Sequence, residues 1–187
     1  MTFKRLWYTF RLYTISGSKA RADYIRNKKI YAGIGENCTI MKRKIPLYAN
    51  LIKLGNNVHL ASNVSFLTHD ISHIVLNNCP ELSSSGSFQE RVGCIEIGNN
   101  VFIGSGVKIL YDTKIGNNVI IGTGSIITKD IPDNSVVAGV PARVIGTFDD
   151  YAEKMAVEQY PENMKPAGQV ISPELAEYLW KEFDNKH

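Results

Sequence analysis

A six-residue pattern recurs through the middle of the chain and decides what the chain can fold into. From Ile97 the sequence reads IGNNVF, IGSGVK, ILYDTK, IGNNVI, IGTGSI and ITKDIP, six units without a gap to Pro132. Upstream, IGENCT starts at Ile34, and LGNNVH, LASNVS and FLTHDI run from Leu54 to Ile71. Each unit opens on an apolar residue, often followed by Gly, and carries a small or β-branched residue in fifth place. Inward candidates are therefore spaced by four and two in alternation, which is not the period of a helix. Two apolar residues two apart, as in Ile95–Ile97, Val101–Ile103 and Val119–Ile121, face one way from a very short strand. The GNN and GSG triplets read as turns, where Gly and Asn accept positive φ at little steric cost. Strand, turn and strand wind the chain around its own apolar axis, each layer pairing with the next about 4.8 Å away.

This is the hexapeptide or isoleucine-patch repeat, and it resembles the left-handed parallel β-helix of the hexapeptide acyltransferases. In that family three hexapeptides make one triangular turn, so a layer takes eighteen residues, and the left hand runs against the usual crossover preference. The implied fold is all-β: a single-stranded left-handed parallel β-helix with short helical N- and C-terminal extensions. Residues 1–29 are expected to form a basic, aromatic-rich N-terminal extension, residues 30–146 the β-helix catalytic domain, and residues 147–187 a C-terminal helical extension. VIIGTGSIITKDIPDNSVVAGVPARVIG, from Val119 to Gly146, is similar to the C-terminal signature of acetyltransferases that modify sugars and some antibiotics. After it, SPELAEYLWKEF reads as a helix with Ser172 as N-cap and Pro173 at its first position. Leu175, Leu179 and Phe183 fall on one of its faces.

The repeat breaks once, beside a histidine. Residues 72–90, SHIVLNNCPELSSSGSFQE, depart from the pattern, and the repeat has returned by Ile95. A solenoid tolerates an insertion at a corner because the layers on either side still stack. Connections this long are usually functional or disordered. His69 stands at the root of the insertion, where the resemblance places the catalytic histidine of the sugar acetyltransferases. A sugar hydroxyl is a poor nucleophile at neutral pH, and an imidazole with an ordinary pKa near 6.5 is a suitable base. The resemblance also implies an oxyanion donor, the backbone N–H of Ser105 in IGSG. Asp70 is a candidate to orient the imidazole, although neighbouring side chains in a strand point to opposite faces. His73 either contacts the acceptor or lies in the loop. His59, outward in LGNNVH, is a surface residue or part of the acceptor cleft.

For the acyl donor, acetyl-CoA, the resemblance implies a site along the outside of the coils that includes Ser105, Thr123, Thr128, Lys129 and Arg143. Lys129 and Arg143 suit the CoA phosphates. It further implies a homotrimer with active sites at subunit interfaces, and no metal. The expected activity is O-acetylation of a sugar hydroxyl in surface-polysaccharide biosynthesis, such as capsule or O-antigen. N-acetylation of an amino sugar, free or nucleotide-linked, is the alternative within the same chemistry. A γ-type carbonic anhydrase would need three zinc-binding histidines, and the ten residues from His59 to His69 do not match the layer period. A β-helix serving only as a scaffold is the remaining class.

Composition narrows the setting. Three cysteines, Cys38, Cys79 and Cys94, form no CxxC pair and suggest free thiols in a reducing, cytoplasmic compartment. The net charge is +3, yet residues 1–29 hold eight Lys/Arg and one Asp, leaving the remainder at −4. Such a segment either packs as one or two helices on the main domain or sits peripherally on an anionic membrane face. No nucleic-acid motif accompanies the charge.

Overall fold

The computed structural model describes residues 2–157, 160–161, 166, 168 and 170–187. Two compact units divide the chain, one ending at Asp149 and one running from Asp150 to His187. The first opens with helices α1 (Phe3–Thr14) and α2 (Ser18–Asn27). The coil follows. Strands β1 (Gly33–Ile34) and β2 (Thr39–Ile40) start it, and β3 (Ile52–Leu54), β4 (Val58–Leu60) and β5 (Ser65–Leu67) make the next layer. An excursion carries β6 (His69–Asp70), helix α3 (His73–Asn77) and β7 (Arg91–Val92). Then come β8 (Ile95–Ile97), β9 (Val101–Ile103) and β10 (Lys108–Leu110), followed by β11 (Thr113–Ile115), β12 (Val119–Ile121) and β13 (Ile126–Ile127). Strands β14 (Ser135–Gly139) and β15 (Ala142–Thr147) close the coil. Helices α4 (Phe148–Val157) and α5 (Pro173–Asp184) end the chain.

The strands stack into three sheets, in the orders β1-β3-β8-β11, β15-β14-β12-β9-β4-β2 and β13-β10-β5. Every pairing within the coil is parallel until β15, which turns back antiparallel along β14 and covers the sheet edge. Ile97 pairs with Ile115, Val101 with Val119 and Lys108 with Ile126, each 18 residues on. The first layer is longer, with 20 residues from Ile34 to Leu54, and the last shorter, with 16 from Ile115 to Ile131. Helices hold a larger share of the chain than an all-β class implies, so the fold is a parallel β-solenoid with helical ends.

Positions one and five face inward as the spacing requires. Ile97, Val101, Ile103, Val107, Ile109, Ile115, Val119, Ile121 and Ile127 are all buried. Three hydroxyls occupy inward places and are satisfied there: Ser125 donates to Gly122 O at 2.7 Å, Ser135 to Asp133 O at 3.2 Å and Thr113 to Tyr111 O at 3.4 Å.

The turns take the positive φ expected of Gly and Asn, and the structure divides the roles between them. In GNN the positive φ falls on the second Asn (Asn57, Asn100 and Asn118, φ 54–56°), not on the glycine. The glycine is needed for space. A Cβ at Gly55 would lie 2.5 Å from Gly98 O, and one at Gly98 would lie 2.7 Å from Gly116 O. Two asparagine columns hold this corner together. The first Asn of each triplet accepts a backbone N–H from the layer before it: Asn56 N to Asn99 Oδ1 at 2.8 Å and Asn99 N to Asn117 Oδ1 at 2.9 Å. The second forms an amide ladder, Asn57 to Asn100 at 3.0 Å and Asn100 to Asn118 at 2.8 Å.

Helices α1 and α2 belong to the same compact unit as the coil. Leu12, Ala22 and Ile25 are part of the core cluster. Arg21 is buried and donates to Ile40 O at 2.8 Å and Ile15 O at 3.0 Å, which ties α2 to the first layer. In the second unit Ser172 caps α5 by accepting from Leu175 N at 3.2 Å. Of the expected apolar face Leu175 is buried, whereas Phe183 remains 51% exposed.

Candidate active site

The insertion is wider than the pattern break suggested. Phe66 pairs with Ile109, 43 residues on, which is 25 more than the 18 separating Ile109 from Ile127. The excursion therefore takes in residues 69–93. Its base is an antiparallel ribbon, His69 opposite Val92 and Asp70 opposite Arg91, closed by Gly93 N to Thr68 O at 3.0 Å. Higher up, Asn77 mimics a strand, donating to Phe88 O and accepting from Phe88 N, both at 2.8 Å. His69 is thus the first residue outside the coil, held by backbone on a short rigid stem.

Its ring packs edge-on against Tyr48, with centroids 5.4 Å apart and planes at 87°. Nδ1 of His69 is buried and has no hydrogen-bond partner among the described residues. Tyr48 adopts a left-handed backbone, φ 50°, an uncommon conformation for a bulky residue. Its hydroxyl donates to Glu90 Oε2 at 3.1 Å, and that bond raises the Tyr48 pKa. Tyr48 and Glu90 lie outside the hexapeptide pattern, and sequence reasoning missed both. Only the break in the repeat around Glu90 hinted at them.

Asp70 does not orient the imidazole. Alternation along β6 sends it the other way, where it accepts from Ser72 N at 2.8 Å and from the Tyr111 hydroxyl at 2.6 Å. Hydrogen bonds from Ser72 and Tyr111, with Arg91 nearby, hold its carboxyl down at about 2. Arg91 also stacks over the Tyr111 ring at 5.3 Å. Asp70 is therefore a strut from the stem to the next layer. His73 begins α3, and its Nδ1 is likewise buried without a partner among the described residues. His59 is pinned on the outer side of β4 by Thr39 and Asn57, both at 2.9 Å. Among the described residues no three His, Cys, Asp or Glu side chains converge as metal ligands would.

The remaining candidates fall into two groups. Ser105 and Thr123 occupy one corner, a layer apart, where Gly124 N donates to Ser105 O at 2.9 Å. The Ser105 N–H itself makes no hydrogen bond among the described residues. Thr128 and Lys129 follow β13 at the far end of the same sheet. Together with Arg143 of β15 they line a cleft of about 330 Å³. Neither Lys129 nor Arg143 pairs with a carboxylate among the described residues. The chain does not bring Ser105 to His69. Ser105 is level with Ser62, to which Gly106 donates, and seven residues run from Ser62 to His69. At the strand rise that is on the order of 20 Å.

Comparison with known proteins agrees with this architecture. Residues 94–129 match the family model of the bacterial transferase hexapeptide, six repeats. Protein CapG of Staphylococcus aureus is 38% identical over 132 residues, covering 68% of this chain and 73% of its own. The galactoside O-acetyltransferase of Escherichia coli K12 is 40% identical over 132 residues, and the match covers 65% of this chain but only 59% of that enzyme. A solved galactoside acetyltransferase in complex with coenzyme A is 30% identical and superposes with a TM-score of 0.54 over 88% of each chain. The chain belongs to the hexapeptide-repeat transferase family. By class it is an acetyltransferase.

Proposed function

We propose that the chain transfers acetyl from acetyl-CoA to a sugar hydroxyl during synthesis of a surface polysaccharide, as a homotrimer of left-handed coils. The observation that carries this reading is His69, fixed on the stem of the insertion against Tyr48, with a buried Nδ1 that no group among the described residues holds. His69 takes the proton from the acceptor hydroxyl as its oxygen attacks the thioester carbonyl. The Ser105 N–H donates to the oxygen that becomes negative. When the carbon–sulfur bond breaks, the thiolate takes the proton from His69, leaving an acetyl ester and free CoA. Lys129 and Arg143, in one cleft and in no ion pair among the described residues, suit the CoA phosphates, and Thr123 and Thr128 lie along the same side of the coil. His73 is close enough in sequence to face the acceptor.

The separation of His69 from Ser105 supports the trimer, because a neighbouring chain must supply the second corner. The names of the relatives support a sugar acceptor, and capsule synthesis suits the likeness to CapG. No helix among the described residues is long and apolar enough to cross a membrane. Helix α1 leaves Phe3, Trp7 and Phe10 exposed beside Arg11, which suits peripheral contact with an anionic membrane face from the cytoplasm. Thiol release from acetyl-CoA across a panel of sugars tests the reading. His69→Ala should lower kcat by about 10²–10⁴ with unchanged melting. A near-normal rate removes His69 from the chemistry.

A further inference from the structure

Next to the His69 stem lies a second cleft, of about 360 Å³, whose largely apolar wall carries four cations. Lys4 and Arg5 reach it from α1, and Lys28 and Lys29 from the end of α2. No Asp or Glu lines it, and none of the four cations is in an ion pair among the described residues. Helix dipoles explain half of this arrangement at most. Lys28 and Lys29 follow the C-terminus of α2, where a cation is favourable, but Lys4 and Arg5 sit in the first turn of α1, where it is not. The first turn of α1 has no acidic residue to offset them.

Lys29 adds a second cost. It holds the left-handed position (φ 49°) that ends α2, with Ile30 N returning to Ile25 O at 3.1 Å. Glycine is the usual occupant of that place. Four cations, two of them at the unfavourable end of a helix and one on strained backbone, line one cleft with no counter-charge among the described residues. An anion in the cleft would meet the lysine ammonium groups and the guanidinium of Arg5, whose Nε already donates to Ile45 O at 3.0 Å.

The cleft connects to the candidate site through one side chain. Tyr48 lines it and packs on His69, and Tyr48 with Asn50 also lines the neighbouring groove beside Glu90 and Val92. We infer that the acceptor is a phosphorylated sugar, its phosphate or diphosphate held by Lys4, Arg5, Lys28 and Lys29 while a hydroxyl of the same sugar faces His69. This rests on the acetyltransferase reading above and names the acceptor's chemical class.

Two measurements on the full-length protein test it separately from that reading. The first is calorimetric titration of inorganic pyrophosphate, and of UDP, into protein already saturated with CoA, so that the donor site is filled. Saturable binding should weaken at least tenfold in the double variant Lys4→Gln/Lys28→Gln, and also as NaCl rises from about 50 to 500 mM. The control Lys19→Gln/Lys181→Gln lowers the net charge equally and should bind like the parent. No binding to the CoA-loaded protein, or equal loss in the control, overturns the inference whatever the enzyme does with sugars. The second is CoA release with glucose, glucose 1-phosphate and UDP-glucose. A double variant that raises KM for the phosphorylated acceptors and leaves glucose unchanged supports the assignment. Equal effects on all three would leave the acetyltransferase standing and remove the phosphate from it. Preference for glucose 1-phosphate over UDP-glucose would identify a monophosphate, and the reverse a diphosphate.

Discussion

Replacing Gly98 by alanine isolates the contact that spaces the layers. The new Cβ would lie 2.7 Å from Gly116 O and 2.8 Å from Asn117 Oδ1. Both are rigid neighbours, one a backbone carbonyl and the other an amide fixed by Asn99 N at 2.9 Å. Ordinary contact starts near 3.4 Å, so this corner must open by roughly 0.7 Å. That strains the bonds from Gly98 N to Ile115 O and from Asn99 N to Asn117 Oδ1, both 2.9 Å. Overpacking contributes about 1–3 kcal/mol and two weakened hydrogen bonds about 1 kcal/mol each. The stiffer unfolded chain returns about 0.4–1 kcal/mol. The net loss is about 2–4 kcal/mol, or a melting temperature lower by on the order of 10 °C in a chain of this size.

Two other glycines separate crowding from conformation. At Gly146 a Cβ meets nothing within 4 Å, and alanine there should shift stability by less than about 0.5 kcal/mol. At Gly106, φ 73°, the nearest atom to a Cβ is Gly124 Cα at 4.0 Å, so alanine pays only for the left-handed backbone, about 1–2 kcal/mol. Urea unfolding and thermal melting of the three variants should rank them Gly98, Gly106, Gly146. If Gly98→Ala melts with Gly146→Ala, the layers are not held at the spacing described, and crowding is not why glycine occupies second place in the repeat.

Other outcomes follow from the site. Lys129→Ala and Arg143→Ala should each weaken CoA binding about tenfold or more in calorimetry; an unchanged Kd removes that side chain from the donor site. Tyr48→Phe keeps the ring edge against His69 and should hold kcat within about threefold, whereas Tyr48→Ala frees the imidazole and should lower kcat by up to about 10². Wild-type turnover in Tyr48→Ala would mean that the stem alone positions His69. The folded Asp70 carboxyl titrates at about 2 against an ordinary 3.8, so its contribution to stability is complete above about pH 4 and is lost as pH falls toward 2. Tyr111→Phe should move that titration upward in carboxyl NMR, and an unmoved midpoint refutes the Tyr111 bond.

What could be read in the sequence was whatever repeats. A four-and-two spacing has one physical solution when ten units share it, and Ile97 over Ile115 and Val101 over Val119 are where that solution places them. Features made by contacts between layers were harder to read. Both glycine and asparagine tolerate positive φ, so composition alone could not assign GNN its roles. The structure gives the left-handed backbone to Asn100 and the close approach to Gly98. His69 was legible because it stands where the pattern stops, but its surroundings were not. Tyr48 reaches it from 21 positions upstream and is itself held by Glu90, 21 positions downstream of the histidine, and neither belongs to a unit. Asp70 shows the limit most directly: adjacency in sequence suggested a partner for the imidazole, while strand alternation sends its carboxylate to Tyr111, one layer on. The basic N-terminus was visible as a charge of +7, yet charge has no direction until a fold supplies one. Only the packing of α1 and α2 on the first layers turns Lys4, Arg5, Lys28 and Lys29 into one lining. A solenoid thus writes its scaffold into the sequence and leaves its chemistry to the segments that interrupt it, where contacts between distant residues decide what each one does.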